Sequence, residues 1–132
     1  MAGKFIISNQ AKRDQLDWGE LGWMTPPDTT GARQLAVLEV TLLPGQGHNF
    51  HKHPKQEEAI YVIEGTVEQW LEQQKQMLQP GDVVFIPADT VHASFNTGDQ
   101  AIKLLAVLGP CVGEAGYELE DVSGQAPWNT IR

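Results

Sequence analysis

Short apolar runs broken by glycine and proline dominate this chain from Leu35 onward. Leu35 to Leu43 is rich in aliphatic and β-branched side chains and stops at Pro44-Gly45, which reads as a strand running into a turn. Ala59 to Ile63 and Thr66 to Leu71 flank Glu64-Gly65, a spacing that predicts a hairpin there. The second of these segments alternates: Val67, Gln69 and Leu71 point one way, and Glu68, Trp70 and Glu72 the other. Gln73-Gln74 then reads as a solvated hairpin tip. Gln79-Pro80-Gly81-Asp82 suits a type II turn, because proline presets φ and glycine supplies the positive φ that follows. Val83 to Ile86 is continuously apolar and predicts a buried strand ended by Pro87. His92 to Asn96 and Ala101 to Leu108 predict a further strand pair around Thr97-Gly98-Asp99. Short strands with glycine and proline turns at regular spacing argue for an all-β sandwich or barrel over residues 34–111.

The two flanks lack such a pattern. Residues 1–33 are turn-rich at Asp17-Trp18-Gly19, Gly22-Trp23 and Thr25-Pro26-Pro27-Asp28, and predict an irregular N-terminal arm over the barrel. Trp18, Trp23 and Met24 carry too much apolar surface to hang in water, so the arm either plugs one barrel end or crosses to a second subunit. Residues 112–132 hold Tyr117 and Trp128 without a period, and predict a C-terminal tail along the outside of the barrel.

A chain of 132 residues fits one domain with its own core. With Cys111 as its only cysteine, no intrachain disulfide and no thiolate metal cluster can form. Gly109-Pro110 before it points to a strand-end turn rather than a nucleophile. Seventeen acidic residues against nine basic give a formal charge of −8, a field that repels a phosphate backbone and argues against nucleic-acid partners. The run Phe5 to Ile7 is too short for a signal segment, and nothing approaches the ~20 apolar residues of a membrane span, so a reducing cytoplasm is the expected location.

Chemistry concentrates between Gly45 and Asn96. His51 and His53 are two apart, so on an extended strand both imidazoles face one side. Glu58 has the wrong parity for a continuous strand, but Pro54 marks a bend, and a corner at 54–57 can return it to that side. Glu57 is equally within reach on sequence distance. Neutral imidazole and carboxylate together suit Fe, Mn, Ni, Cu or Zn. The fourth histidine, His48, takes the opposite parity if the strand is extended, which puts it at a rim, and Phe50 packs outward for the same reason. Asn96 reads as a backbone-bonding residue at a strand end.

The pattern Gly45-x5-His51-x-His53-x4-Glu58-x6-Gly65 resembles the first motif of the cupin superfamily, and Gly81-x5-Pro87-x-Asp89-x2-His92-x3-Asn96 resembles the second. Asp89 stands where that family often has glycine, and aspartate tolerates the left-handed backbone this requires. The resemblance implies a small single-domain cupin, a double-stranded β-helix (jelly-roll) barrel. It further implies one divalent transition metal per chain, held inside by His51, His53, Glu58 and His92, with Glu58 preferred to Glu57 by its distance to Gly65. Four protein ligands leave a five- or six-coordinate ion open to water or substrate. The expected function is a metalloenzyme acting on a small oxygenated molecule, with dioxygenase-like chemistry ahead of isomerase or lyase chemistry. Glu58 then serves both as ligand and as proton acceptor. Tyr61, Phe85, Phe95 and Trp23 are the expected pocket wall, and a homodimer the expected assembly. The contrasting expectation is a non-catalytic module that binds a small ligand such as a sugar or an acid.

Overall fold

Strict alternation builds the larger of two antiparallel sheets in this computed structural model, which describes residues 3–132. The chain runs through β1 (Lys12–Leu16), β2 (Gly19–Trp23), α1 (Pro27–Thr30), β3 (Ala36–Leu42), β4 (Gly47–Lys52), β5 (Glu57–Glu64) and β6 (Val67–Leu71). It continues through β7 (Gln74–Leu78), β8 (Val83–Ile86), β9 (His92–Phe95), β10 (Ile102–Gly109) and β11 (Glu120–Asp121). One sheet has the order β1-β2-β3-β10-β5-β8 and the other β11-β4-β9-β6-β7. In β3, Ala36, Leu38, Val40 and Leu42 are buried while the residues between them are half-buried. In β10, Ile102, Leu104, Ala106 and Leu108 repeat that pattern, and these two central strands join Ile60, Val62, Val67 and Ile86 in the main core.

Four expectations need correction. Residues 1–33 are not irregular throughout: β1 and β2 form a hairpin, and β2 extends the larger sheet by pairing with β3 from Gly19↔Leu42 to Trp23↔Leu38. Alternating polar and apolar residues are few in this hairpin, so its strands are set by the free edge of β3 rather than by their own pattern. Glu64-Gly65 does not turn a hairpin. Strand β5 lies in one sheet and β6 in the other, so the turn is a crossing between layers. Gly65 makes the crossing at φ 86, where an added Cβ would meet Ile102 at 2.2 Å. Thr97-Gly98-Asp99 is likewise a crossing, from β9 to β10 in the opposite sheet. Finally, β8 is an edge strand with Val83 and Phe85 exposed, and only Ile86 of its four residues is fully buried.

The turns themselves form as their residues dictate. Asp82 donates its backbone N–H to Gln79 O at 2.9 Å, and Gly81 sits at φ 95. Asp89 adopts φ 64, and its N–H donates to His53 O at 2.9 Å, which ties the second motif to the first. Asn96 donates through Nδ2 to Leu42 O and Gln100 O and accepts from Gly98 N–H. A second core forms on the outer face of the smaller sheet, where Phe50, Trp70, Ala93 and Phe95 meet Val122, Trp128 and Ile131 of the tail. Arg132 closes it, bonded to Glu68 at 2.6 Å with its guanidinium over the Phe95 ring. No helix among the described residues is long and apolar enough to cross a membrane.

Candidate metal centre

Three histidines reach one point from two paired strands and the corner beyond them. His51 on β4 stands opposite His92 on β9 in the antiparallel register, so both rings leave the same face. His53 follows the end of β4, where Pro54 begins the corner and Gln56 N–H donates back to His53 O at 3.3 Å. One ligand atom from each ring lies within 4.8 Å of the others. Each ring uses its Nδ1 on a backbone carbonyl: His51 on Asn49 at 2.6 Å, His53 on Glu118 at 2.8 Å, His92 on Thr90 at 3.0 Å. A carbonyl only accepts, so Nδ1 carries the proton and each Nε2 turns a lone pair toward the shared point.

Glu58 completes the cluster. On β5 it points inward with Ile60 and Val62, whereas Glu57 points to solvent. Its Oε1 lies 3.2 Å from His53 Nε2 and 2.9 Å from His92 Nε2. Burial disfavours the charged carboxylate, yet His53 and His92, in the form that carries a proton on Nε2, hold its pKa down to about 2; with both Nε2 atoms deprotonated that support is gone. Among the described residues, His53 Nε2, His92 Nε2 and Glu58 Oε1 are all buried without a hydrogen-bond partner. Three electron-rich atoms facing one another in a dry site is a costly arrangement, and a cation among them satisfies all three. A divalent transition metal fits this donor set.

Beside the cluster lies a cavity of about 30 Å³, walled on the sheet opposite by Leu38, Val40, Ile60 and Leu104 and on the near side by His48, Ser94 and Tyr117. At roughly 10–15 Å³ per water-sized probe, this holds two or three waters. His48 is not the rim residue its parity suggested. The register shifts between His48↔Ser94 and His51↔His92, so three steps on β4 answer two on β9. This bulge returns His48 to the inner face. Its ring lies flat on His51 at 3.7 Å and under Trp18 at 4.9 Å, and burial, more than the neighbouring charges, lowers its pKa to about 4.

The expected aromatic wall lies elsewhere. Tyr61 and Phe85 are on the outer face of the larger sheet, about half-exposed, because Ile60, Val62 and Ile86 take the inward positions. Phe95 is buried behind the smaller sheet, since His92 and Ser94 take the inward parity of β9. Trp23 stands one layer back, edge-on to Tyr117 at 5.7 Å, with Nε1 donating to Asp14 at 2.8 Å. Phe50 packs outward with Phe95, as its parity required. Tyr117 is the residue that sequence reasoning missed. It comes from the aperiodic tail, and burial pushes its phenol pKa up, with the Glu58 charge adding to the shift. The one local signal was an aromatic ring in a segment with no apolar face of its own.

Comparison with known proteins agrees with this architecture. A cupin domain model matches residues 38–108, more than half the chain. Protein SchB of Streptomyces halstedii is 34% identical over 92 residues, which cover 70% of this chain and 67% of that protein. Polyketide synthase CurC of Streptomyces cyaneus is 32% identical over 92 residues, 70% of this chain and 60% of the relative. Quercetin 2,3-dioxygenase of Bacillus subtilis is 37% identical over 60 residues, 46% of this chain but 18% of that enzyme. Among solved structures, KdgF from a Halomonas species superposes with a TM-score of 0.72 at 22% identity, over 83% of this chain and 94% of that one. The Lactobacillus farciminis oxalate decarboxylase formate complex gives 0.76 at 22% identity, over 93% of this chain and 41% of that one. At that identity these structures speak for the fold alone. The chain belongs to the cupin family.

Proposed function

We propose that this chain is a metal-dependent enzyme acting on a small oxygenated organic molecule, with dioxygenase-like chemistry ahead of isomerase or lyase chemistry. The observation that carries this reading is the convergence of three unpartnered buried atoms, His53 Nε2, His92 Nε2 and Glu58 Oε1, beside a cavity. His51 supplies a third imidazole to the same point. One divalent ion of Fe, Mn, Ni, Cu or Zn per chain, held by His51, His53, His92 and Glu58, supplies Lewis acidity and, where redox-active, electron exchange. The chain's own residues do the rest. Backbone carbonyls fix the three rings in one tautomer and so aim their lone pairs. Glu58 stays ionised at neutral pH and can take a proton from a bound substrate. The aliphatic wall of the larger sheet leaves room for only a few waters, which strengthens every charge interaction at the site. A relative named quercetin 2,3-dioxygenase supports the oxidative preference.

A homodimer belongs to the same proposal, with the apolar outer face of the larger sheet as its interface. The competing reading is a binding module without turnover, favoured by the small volume of the cavity, about 30 Å³. Azide separates the two: cobalt-substituted protein whose visible spectrum responds to azide has the open coordination position that catalysis needs. A four-coordinate spectrum indifferent to azide would contradict the enzyme reading. Oxygen-consumption screening over small phenols, diketones and acids then tests the dioxygenase preference, and turnover without oxygen uptake would move the reading to isomerase or lyase chemistry.

A further inference from the structure

Only two groups on the cavity wall are left free to donate a hydrogen bond into it. No lysine or arginine lines the cavity among the described residues. Ser94 donates its hydroxyl proton to Gln69 Oε1 at 2.6 Å, so it offers the cavity only lone pairs. The carboxylate of Glu58 and the Nε2 atoms of the three histidines offer lone pairs as well. The donors left are the hydroxyl of Tyr117 and the ring edge of His48, whose faces are covered by Trp18 and His51.

Tyr117 is also held with more care than a covering residue needs. The side chain of Gln56 is buried and makes three hydrogen bonds to the segment that carries it. Its Nε2 donates to Pro110 O at 2.7 Å and Gly116 O at 2.8 Å, and its Oε1 accepts from Glu118 N–H at 3.2 Å. Both chain neighbours of Tyr117 are therefore pinned by one amide. Trp23 then braces the ring edge-on, while its own Nε1 is anchored on Asp14. The hydroxyl takes no part in any of these bonds. Gln56 lies in the corner between His53 and Glu58, so the turn that sets two metal-facing groups also sets the phenol.

We infer that Tyr117 donates a hydrogen bond to the charged oxygen of a compact monoanionic ligand at this centre, and that Gln56 positions it to do so. This rests on the metal-centre reading above. The ligand class follows from the wall: one anionic oxygen head is served by the cation and the phenol, and a second carboxylate would find no cationic partner. A chain-length limit follows from the aliphatic surface of Leu38, Val40, Ile60 and Leu104 closing the far side.

Formate is the probe, titrated into cobalt-loaded protein and followed by the visible cobalt bands. Wild type should hold one cobalt per chain and bind formate. Tyr117→Phe should hold the same cobalt and melt at the same temperature, yet bind formate about tenfold or more weakly, the loss expected for one hydrogen bond to a charged group. Gln56→Met should lose formate affinity to a similar degree. Added to Tyr117→Phe it should weaken formate no further, since the two act as one unit. Formate binding to Tyr117→Phe as tight as to wild type, or a loss that follows His48→Phe instead, would overturn the assignment and leave the metal centre standing. A wild-type protein that takes up no cobalt would overturn both.

Discussion

At the scale of single residues, the account rests on which nitrogen of each imidazole is free. His51, His53 and His92 each spend Nδ1 on a backbone carbonyl, and substitution of any one removes a lone pair already aimed at the shared point. His51→Ala, His53→Ala and His92→Ala should each abolish most metal binding, read by elemental analysis, whereas His48→Ala should not. Equal damage from His48→Ala would mean that the ligand set is wrong. Glu58→Gln should weaken binding more than Glu57→Gln, and the reverse result would exchange their roles. Acid should destabilise the metal-free protein in two steps. Folded His48 takes its proton near pH 4 rather than near 6.5, so the unfolded chain binds more protons between these values and stability falls as pH drops through them. His51, also held low by burial, adds to the same slope. Glu58, lowered from 4.5 to about 2, contributes stability that is lost at lower pH, as acid approaches pH 2. Thermal melts from pH 7 to 4 check this, and His48→Gln should flatten part of the slope; melts that are flat in wild type would contradict the burial of these rings. The clustering of His51, His53, His92 and Glu58 was legible in the sequence because strand parity and one proline corner determine it. The place of His48 was not, because a bulge is set by the partner strand and leaves no mark on His48-Asn49-Phe50-His51 itself.

At the scale of elements, local pattern identified most strands but not their partners. Val67, Gln69 and Leu71 do face the interior side of β6, and the Pro80-Gly81 and Asp89 turns form as their residues require. What failed was adjacency. Glu64-Gly65 and Thr97–Asp99 look like hairpin turns, yet each carries the chain from one sheet to the other, and nothing local distinguishes a reversal within a layer from a step between layers. The β1–β2 hairpin was invisible because its strands, KRDQL and GELGW, lack alternation and depend on the edge of β3. Asn96 is the clearest test of the crossings. Its buried amide, on the strand end of one sheet, bonds Leu42 O at the end of β3 in the other and Gln100 O in the connection. Asn96→Ala leaves those carbonyls unpaired and should cost about 1–3 kcal/mol, read as a lower denaturant midpoint at unchanged slope. An unchanged midpoint would show that the core, rather than this amide, holds the crossing.

At the scale of the whole molecule, one face stays uncovered. Across the larger sheet, Val37, Val107, Ala59 and Phe85 form one cross-strand row, and Leu105, Tyr61 and Val83 form the next, with Glu39 at its end toward the N-terminal hairpin. Phe85 is 56% and Val83 57% exposed, an apolar sheet face that a second copy would cover. The N-terminal arm no longer argues for the dimer, because Trp18 folds back onto its own barrel, where its carbonyl accepts from Leu43 N–H at 3.0 Å. Light scattering at micromolar concentration should report a dimer, and Phe85→Glu with Tyr61→Glu a folded monomer; a monomeric wild type would reject the interface. The aliphatic core, rather than the metal, should hold the barrel. A chelator is then expected to lower the melting temperature by several degrees, since a folded-state ligand at a hundredfold excess over Kd contributes about 2.7 kcal/mol. The far-ultraviolet signature of a β protein should survive that treatment, and complete unfolding would contradict it. Whether three histidines and one glutamate hold a cation is decided by elemental analysis of wild type beside His92→Ala, both purified without added metal. About one transition-metal ion per wild-type chain and almost none in the variant is the expected result; metal absent from both, or equal in both, would rule the four-residue site out.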